Sequence, residues 1–469
     1  MADSPPLARR RIADLLASEA RDGPALARTL SAFGLVCIGI GATIGAGIFV
    51  LTGTAAAHYA GPGLMLSFVL GGIASGLVGL CYAELAAMIP VAGSTYSYAR
   101  VTLGALPAWI VGWDLVLEFA FAAATVAVGW SGYAQSLMAD FGLHLPQALA
   151  AAPGEGGVVN LPAGAVVLAL TALLIAGNRG AARVNAALVA LKVAIILAFV
   201  LVGAAHLRPE LWSPLVPPNE GTFGAFGWSG VLRGAGVVFF AYVGFETIAT
   251  AVGETRDPQR DAPVGLIGAL LVTSALYIAV AGVLTGLVPY RDLAVADPIA
   301  KAVDAVGLTG FALAIKVGAL LGLTTATLTA LYGQARIFYA MARDRMLPDL
   351  FGIVHPTRRT PWVSQLAIGF VTAGVAALVP LRVLGELVSI GTLFAFVLVC
   401  AFVLILRRTE PERPRPFRVP GGPIVPGLGI LACLVLMAGL PGDTWLRLGA
   451  WLALGLALWF GYGRARVRD

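Results

Sequence analysis

Long apolar runs dominate this sequence, and they constrain the fold more than any other feature. The chain carries twelve of them. Most reach the roughly 20 residues that a helix needs to cross about 30 Å of hydrocarbon. They are continuous rather than alternating, which is typical of helices and not of barrel strands. The sequence therefore predicts an all-α polytopic membrane protein with twelve transmembrane helices. The runs cover residues 32–56, 63–89, 105–137, 162–177, 184–205, 227–252, 264–288, 309–335, 362–380, 384–405, 423–440 and 445–462.

The composition agrees with a membrane protein. Hydrophobic residues make up 59% of the 469 residues and charged residues only 12%, against about 25% charged residues in soluble domains. So few charges cannot cover the surface of a soluble protein, which excludes a soluble enzyme, a nucleic-acid binder and a secreted module. The cysteines all lie in apolar runs, so we expect packing residues rather than disulfides or metal ligands. They are Cys37, Cys81, Cys400 and Cys433.

The basic residues predict the orientation of the helices. Most of the 31 lysines and arginines lie before the first run, after the last run or in the even-numbered loops. By the positive-inside rule, both termini then lie in the cytoplasm and the protein lies in the cytoplasmic membrane. In the cytoplasmic N-terminal segment 1–31, residues 9–16 fit either an amphipathic surface helix or a disordered tail. Residues 463–469 form the cytoplasmic C-terminus, and the external stretch 289–308 is a candidate lid.

Glycines interrupt the first apolar run. Residues 39–47 contain four of them, and each costs a regular helix about 1 kcal/mol relative to alanine. One interpretation is a close contact between helices, which glycine permits. The other is an unwound segment, in which residues 45–47 are expected to be non-helical. Its backbone N–H groups and the start of the following half-helix would then face a ligand, an arrangement that suits a carboxylate.

The sixth run carries a matching interruption, because Glu246 follows Gly244 deep in apolar sequence. Runs 1 and 6 correspond if residues 32–205 and 227–405 form two halves of five helices each. Interruptions at corresponding positions of two halves mark the substrate site of many transporters. An odd number of helices per half makes the halves antiparallel. We therefore expect a 5+5 inverted repeat with broken helices 1 and 6, followed by two helices within residues 423–462.

Ionisable side chains at membrane depth are candidate functional groups. Lys192 lies inside run 5, where a lysine can lose its charge and an arginine cannot; the alternative is a structural lysine bonded to a carbonyl or an acid. Glu118 would attract an amino group of a substrate, or stay protonated within the bundle. Glu246 would be a proton-sensitive gate or a structural group. Asp114 and Glu84 are expected at the cytoplasmic gate or in a structural role.

Several motifs resemble those of a known family. Residues 41–49 (GATIGAGIF) resemble the first-helix signature of the amino acid–polyamine–organocation superfamily. Residues 82–85 (YAEL) resemble its second-helix exit, and residues 112–118 (GWDLVLE) its third helix. Residues 333–344 resemble the loop after helix 8, and residues 414–420 (PRPFRVP) the loop before helix 11. In order and extent, the match is most similar to bacterial members of the cationic amino acid transporter family and implies the LeuT-like fold.

This resemblance implies secondary active amino acid transport by alternating access. By match to the motifs, the N–H groups of Ala46 and Gly47 would hold the substrate carboxylate. The carbonyls of Thr43, Phe240 and Val243 would hold its ammonium group, and the Phe240 ring would close the site from outside. The candidate substrate-binding residues are Thr43, Gly45, Ala46, Gly47, Glu118, Phe240, Ala241, Val243 and Glu246.

The resemblance also implies how transport is driven. The lysine that matches Lys192 bridges helices 1 and 5 in the family and replaces a sodium ion. Lys192 and Glu246 are therefore the candidate proton-coupling residues.

Proton-coupled symport of small neutral or cationic amino acids is the leading interpretation. Its ligands are the amino acid and protons, and no cofactor, metal or nucleic acid is expected. One alternative is an amino acid or amine exchanger without proton coupling; another is sodium coupling, which the charge of Lys192 disfavours. A non-transporting partner subunit is also open, as is a small membrane subunit bound to this chain. The sequence lacks the repeated filter of a channel and the paired motifs of a membrane-embedded enzyme.

Overall fold

Helices account for every apolar run in this computed structural model, which describes residues 30–89, 94–177, 181–252, 255–358 and 360–466. The expectations for residues 1–29 and 467–469 lie outside that part. Within it, β-type backbone pairing is limited to an isolated bridge between Leu30 and Thr255. The predicted all-α class is confirmed for the described residues.

We number the main helices α1 to α16 in chain order and leave single turns unnumbered. α2 is a helix with two π-helical turns. Their bounds are Ala32–Thr43 (α1), Gly47–Leu51 with Thr52–Ala55 and Ala56–Ala60 (α2), Leu64–Met88 (α3), Ser94–Leu103 (α4), Ala105–Asp140 (α5), Leu161–Ala176 (α6), Ala181–Ala204 (α7), Gly227–Val238 (α8), Thr247–Ala251 (α9), Pro258–Leu287 (α10), Pro298–Asp304 (α11), Thr309–Arg343 (α12), Trp362–Leu378 (α13), Leu381–Thr409 (α14), Ile424–Gly439 (α15) and Gly442–Leu458 (α16).

Eight helical stretches of the described chain are long and apolar enough to cross a membrane, and α1, α6, α13 and α15 are shorter apolar helices. One of the eight stretches joins α2 and α3 through the turn Gly61–Gly63. The first predicted run is divided between α1 and α2, so neither part has its full length. Twelve membrane crossings therefore stay a prediction. Large apolar side chains are nevertheless exposed on the outside, including Leu201 at 72% and Leu446 at 74%, as contact with lipid requires.

The two longest helices lie against each other. α5 has 36 residues and α12 has 35. They run antiparallel: a Cβ on Gly112 would lie 2.9 Å from Met341, and one on Gly333 would lie 2.9 Å from Phe119. These helices correspond to runs 3 and 8, which hold the same position in the two predicted halves. The inverted repeat itself stays a prediction.

Tryptophans attach α16 to α5. Trp113 Nε1 donates to the Trp451 carbonyl at 2.8 Å, and Trp451 Nε1 donates back to the Trp113 carbonyl at 3.1 Å. Trp109 Nε1 donates to the Gly455 carbonyl at 2.8 Å. Each indole thereby satisfies its only donor within an apolar interface. The last helix is thus held on the same α5 that carries Asp114 and Glu118.

Candidate functional site

The first predicted break is present, slightly earlier than the glycine pattern indicated. α1 ends at Thr43, and Ile44 is extended (φ −75°, ψ 102°). Ala46 already has helical angles (φ −61°, ψ −21°), so the break is centred on residues 44–45 rather than 45–47. Ile48 and Phe49 donate the first backbone hydrogen bonds of α2, both to the Gly45 carbonyl at 3.3 Å. The N–H groups of residues 45–47 precede them and form the open start of a helix.

The second break lies between α8 and α9. After α8, the chain passes through the 3₁₀ turn Phe239–Tyr242 to an extended Val243 (φ −63°, ψ 134°). Gly244 follows with φ +116°, a conformation that favours glycine. A Cβ there would also lie 2.8 Å from the Ala42 carbonyl oxygen. Glycine is therefore required both by the backbone angle and by the close approach of α1.

The two breaks contact each other directly. A Cβ on Gly47 would overlap the backbone of Ala241, so the start of α2 lies against the 3₁₀ turn. Tyr277 of α10 donates from its hydroxyl to the Thr43 carbonyl at 3.0 Å and holds the end of α1. The Phe240 carbonyl accepts a hydrogen bond from Val243 N–H at 3.1 Å. The carbonyls of Thr43 and Phe240 thus each already have one hydrogen-bond donor.

A cavity of about 70 Å³ lies between the breaks, α5 and α12, enough for a few water molecules. Six of the predicted residues line it: Thr43, Gly45, Glu118, Phe240, Val243 and Glu246. Ala46, Gly47 and Ala241 are buried and are not among the lining residues. For Thr329, which also lines the cavity, the sequence favoured bonding to its own helix over a place in the lining. The sequence reasoning missed the rest of the lining: Gly41, Ala42, Phe119, Ala122, Val126, Gly244, Thr247, Ala326 and Ala330.

Two carboxyl groups meet at this cavity. Glu246 accepts from Gly244 N–H with both oxygens, at 3.0 and 2.9 Å, so it closes the turn of the second break. The Glu118 carboxyl, from α5, lies beside it within hydrogen-bonding reach. Two carboxyl groups hydrogen-bond only when at least one holds a proton. A hydrogen bond between the two would need a proton on one of them and would join α5 to the second break.

Lys192 joins α7 to the first break. Its Nζ donates to the Gly41 carbonyl at 2.5 Å and to the Ile44 carbonyl at 2.8 Å. These carbonyls flank the end of α1. The side chain is 1% exposed, and α12 makes room for it at Gly322, where a Cβ would lie 3.3 Å from Lys192 Cβ. The Lys192 ammonium group thus donates hydrogen bonds to two carbonyls that have no helical N–H partner because α1 ends there.

Glu84 is the centre of a second charged cluster, away from the cavity. Arg407 of α14 donates to its two oxygens at 3.0 and 2.5 Å. Arg415 lies 3.4 Å from Glu84 Oε1, and Val419 N–H donates to Oε2 at 2.8 Å. The cluster ties α3 and α14 to the loop that contains residues 414–420. It lies at the helix ends that the predicted orientation assigns to the cytoplasm.

Threonines of α12 bond their own helix. The hydroxyls of Thr324, Thr325, Thr327 and Thr329 donate to backbone carbonyls three or four residues earlier, as threonine in a membrane helix commonly does. Thr329 still lines the cavity. Over the described ranges, no cluster of three histidine, cysteine or acidic side chains offers a metal site.

A profile of the amino acid permease family matches residues 30–444. The chain belongs to the amino acid permease family. It is 46% identical to a methylthioribose transporter of Bacillus subtilis over 98% of both chains. It is 44% identical to a branched-chain amino acid permease of the same bacterium over 97% of both chains. A vacuolar cationic amino acid transporter 4 of Arabidopsis thaliana is 39% identical over 87% of this chain and 68% of its own length.

Membership of the amino acid permease family confirms the resemblance inferred from the motifs. This permease is an integral membrane transporter of small molecules and not an enzyme. Its cavity lies where the two broken helices, α5 and α12 meet.

Proposed function

We propose that this permease imports an amino acid by proton-coupled symport and alternating access. The observation that carries the proposal is one cavity lined both by Gly45, at the open start of α2, and by the Glu118–Glu246 pair. An amino acid is a zwitterion. Backbone N–H groups at a helix start suit its carboxylate, and a carboxyl pair together with free carbonyl lone pairs suits its ammonium group.

The cavity walls favour a neutral aliphatic side chain. Phe119, Ala122 and Val126 of α5 face Ala326 and Ala330 of α12. These five side chains offer dispersion contacts, and the hydroxyls of Thr247 and Thr329 in the same lining already donate to backbone carbonyls. The similarity to branched-chain permeases points the same way. A cationic side chain would have to reach Glu118. An anionic side chain would face two acidic groups, so we expect acidic amino acids to be the poorest substrates.

Proton coupling is assigned to Lys192, with Glu246 as the second candidate. Charged Lys192 holds the end of α1 against α7 through the carbonyls of Gly41 and Ile44. Loss of its proton weakens this contact and shifts the balance between two packings of the broken helices, the general form of an electrostatic switch. The proposal includes twelve crossings with both termini in the cytoplasm.

A neutral thioether sugar is the second candidate substrate, because the methylthioribose transporter is 46% identical over nearly the whole chain. Such a substrate has no carboxylate and would leave the open start of α2 unused. An amino acid uses both ends of the cavity, so we prefer it.

Counterflow in proteoliposomes separates these functions. The purified chain is tested with labelled leucine, valine, alanine, lysine, glutamate and methylthioribose, with and without an imposed pH gradient. We expect leucine or valine to exchange fastest and to accumulate when the outside is acidic. Exchange without pH-driven accumulation would indicate an exchanger. Preference for methylthioribose or glutamate would overturn the substrate assignment, and a lack of saturable uptake would favour a non-transporting partner subunit.

A further inference from the structure

Beside the cavity, buried polar groups lack hydrogen-bond partners. Asp114 on α5 is 0% exposed, and neither of its oxygens has a hydrogen-bond partner among the described residues. Gln334 on α12 is 0% exposed, and within the described ranges both polar atoms of its amide are also without partners. One oxygen of Glu118 is in the same state. Buried polar groups in proteins are nearly always satisfied, so several orphaned groups in one region require an explanation.

These groups form a row that leads away from the cavity. Asp114 precedes Glu118 by one helical turn and therefore lies on the same face of α5. A Cβ on Gly391 of α14 would lie 3.3 Å from Asp114 Oδ1, and the next residue, Thr392, lies beside Glu118. The order is thus Glu246, Glu118, Asp114, toward the start of α5. That start is about 13 Å from Asp114 at 1.5 Å per residue and lies at the predicted cytoplasmic end.

Gln334 lies at the level of Glu118. Its neighbour Gly333 approaches Phe119, where a Cβ would lie 2.9 Å from the ring. The side chain that α14 brings to this row, Thr392, is uncharged. Glu118 is a titratable neighbour of Asp114, and Tyr82 of α3 is a titratable neighbour of Glu118 and Glu246. A carboxyl group in such surroundings is compatible with burial only when it holds a proton or meets water.

We propose that Asp114 is a second proton-binding site, which takes the proton from the Glu118–Glu246 pair and releases it through water toward the cytoplasm. The O–H bond of Glu118 breaks, and an O–H bond forms on the Asp114 carboxylate. Glu118 is left as a carboxylate that holds the ammonium group of the next substrate. Asp114 then gives its proton to water on the side of the α5 start and becomes a carboxylate again. This inference rests on the proton coupling proposed above and adds the route by which the proton leaves.

The test compares Asp114→Asn, Asp114→Glu and the control Asp292→Asn in proteoliposomes. Asp292 is exposed in the external stretch 289–308. The probe is the amino acid that the wild-type chain accumulates best, and a trapped pH dye records protons. We expect Asp114→Asn to keep counterflow near the wild-type rate. Accumulation driven by a pH gradient and the accompanying proton uptake should fall about 100-fold, as for other proton-transfer groups. Asp114→Glu should restore both, and Asp292→Asn should behave as wild type.

The possible results are distinguishable. Wild-type proton uptake and accumulation in Asp114→Asn would overturn the inference and leave the proposed function standing. Loss of counterflow together with accumulation, in a variant whose thermal unfolding matches wild type, would make Asp114 a gate or binding residue and would also overturn it. A wild-type chain without pH-driven accumulation of any substrate would overturn the proposed coupling and, with it, this inference.

Discussion

At the scale of single residues, Gly47 shows how little space separates the two breaks. A Cβ on Gly47 would overlap the backbone of Ala241, which cannot move aside as a flexible side chain would. We predict that Gly47→Ala loses substrate counterflow and destabilises the protein by about 1–3 kcal/mol, the usual cost of overpacking. Gly76→Ala is the matched control, because a Cβ on Gly76 of α3 would meet nothing within 4 Å. Equal counterflow in the two variants would show that this contact is not needed.

Lys192 is the second residue on which transport should depend. Lys192→Ala removes the two hydrogen bonds to the first break, and we predict that accumulation driven by a pH gradient is lost while substrate binding survives. Lys192→Arg should fail as well, because a guanidinium does not release its proton. Counterflow and pH-driven uptake measured side by side check both variants, with Asp292→Asn at an exposed position of the external stretch as control. If Lys192→Ala still concentrates substrate, the lysine is structural and Glu246 becomes the coupling candidate.

At the scale of helices and loops, the Glu84 cluster should stabilise one end of the bundle. The Glu84 and Arg407 side chains are 2% and 12% exposed, so Glu84→Gln leaves two nearby arginines without their counter-charge. Breaking a buried ion pair in this way costs about 3–5 kcal/mol. The control is Glu220→Gln, whose ion pair with Arg291 is exposed and is worth about 1 kcal/mol at most. Unfolding of both variants in detergent is the measurement. An equal loss of stability in the two variants would contradict a stabilising buried ion pair at Glu84.

The candidate lid, formed by α11 in the external stretch 289–308, should respond to pH. Ser136 of α5 donates to Asp297 Oδ2 at 2.5 Å, just before α11 begins. Burial raises the pKa of Asp297, against the opposing effects of the Ser136 hydrogen bond and of Lys316. The docked lid therefore binds this proton more tightly than the undocked lid does. Docking should be strongest at low pH and should weaken as the pH rises through the pKa of docked Asp297.

Hydrogen exchange of residues 298–304, corrected for the intrinsic effect of pH, measures lid docking. We expect protection to decrease as the pH rises in the wild-type chain and to stay flat in Asp297→Asn. Asp292→Asn, an exposed aspartate of the same stretch, should keep the wild-type profile. Protection that does not change with pH in the wild-type chain would contradict the role of Asp297.

At the scale of the whole molecule, the distribution of basic residues predicts which loops face outward. Leu143 is 58% exposed after α5, and Glu412 is exposed in the loop after α14. In a Cys37→Ser background, with the other cysteines buried, a membrane-impermeant maleimide on intact cells should label Leu143→Cys and not Glu412→Cys. Both should react after permeabilisation. The reverse pattern would invert the proposed topology, and labelling of both in intact cells would contradict the number of crossings between them.

Sequence alone was sufficient for the class of protein and for the location of both breaks, because these depend on local properties. Apolar length sets which segments suit hydrocarbon, and the cost of glycine in a helix acts residue by residue. Glycine-rich residues 39–47 and the Gly244–Glu246 pair therefore pointed to the interruptions. The centre of the first break was misplaced by about one residue, since helix ends shift within a turn.

Tertiary structure alone decided which side chains share one cavity. Ala326, Thr329 and Ala330 of α12 line it, yet small residues occur along every membrane helix and carry no signal of their own. The same holds for the isolation of Asp114. Its carboxyl group is a candidate proton-binding group because the residue that α14 places beside it is Gly391, whose side chain offers no hydrogen-bond donor. Local sequence determines where a helix forms and which of its side chains are polar. The helices packed around it determine which of those polar atoms find hydrogen-bond partners, because such contacts join residues that are far apart in the chain.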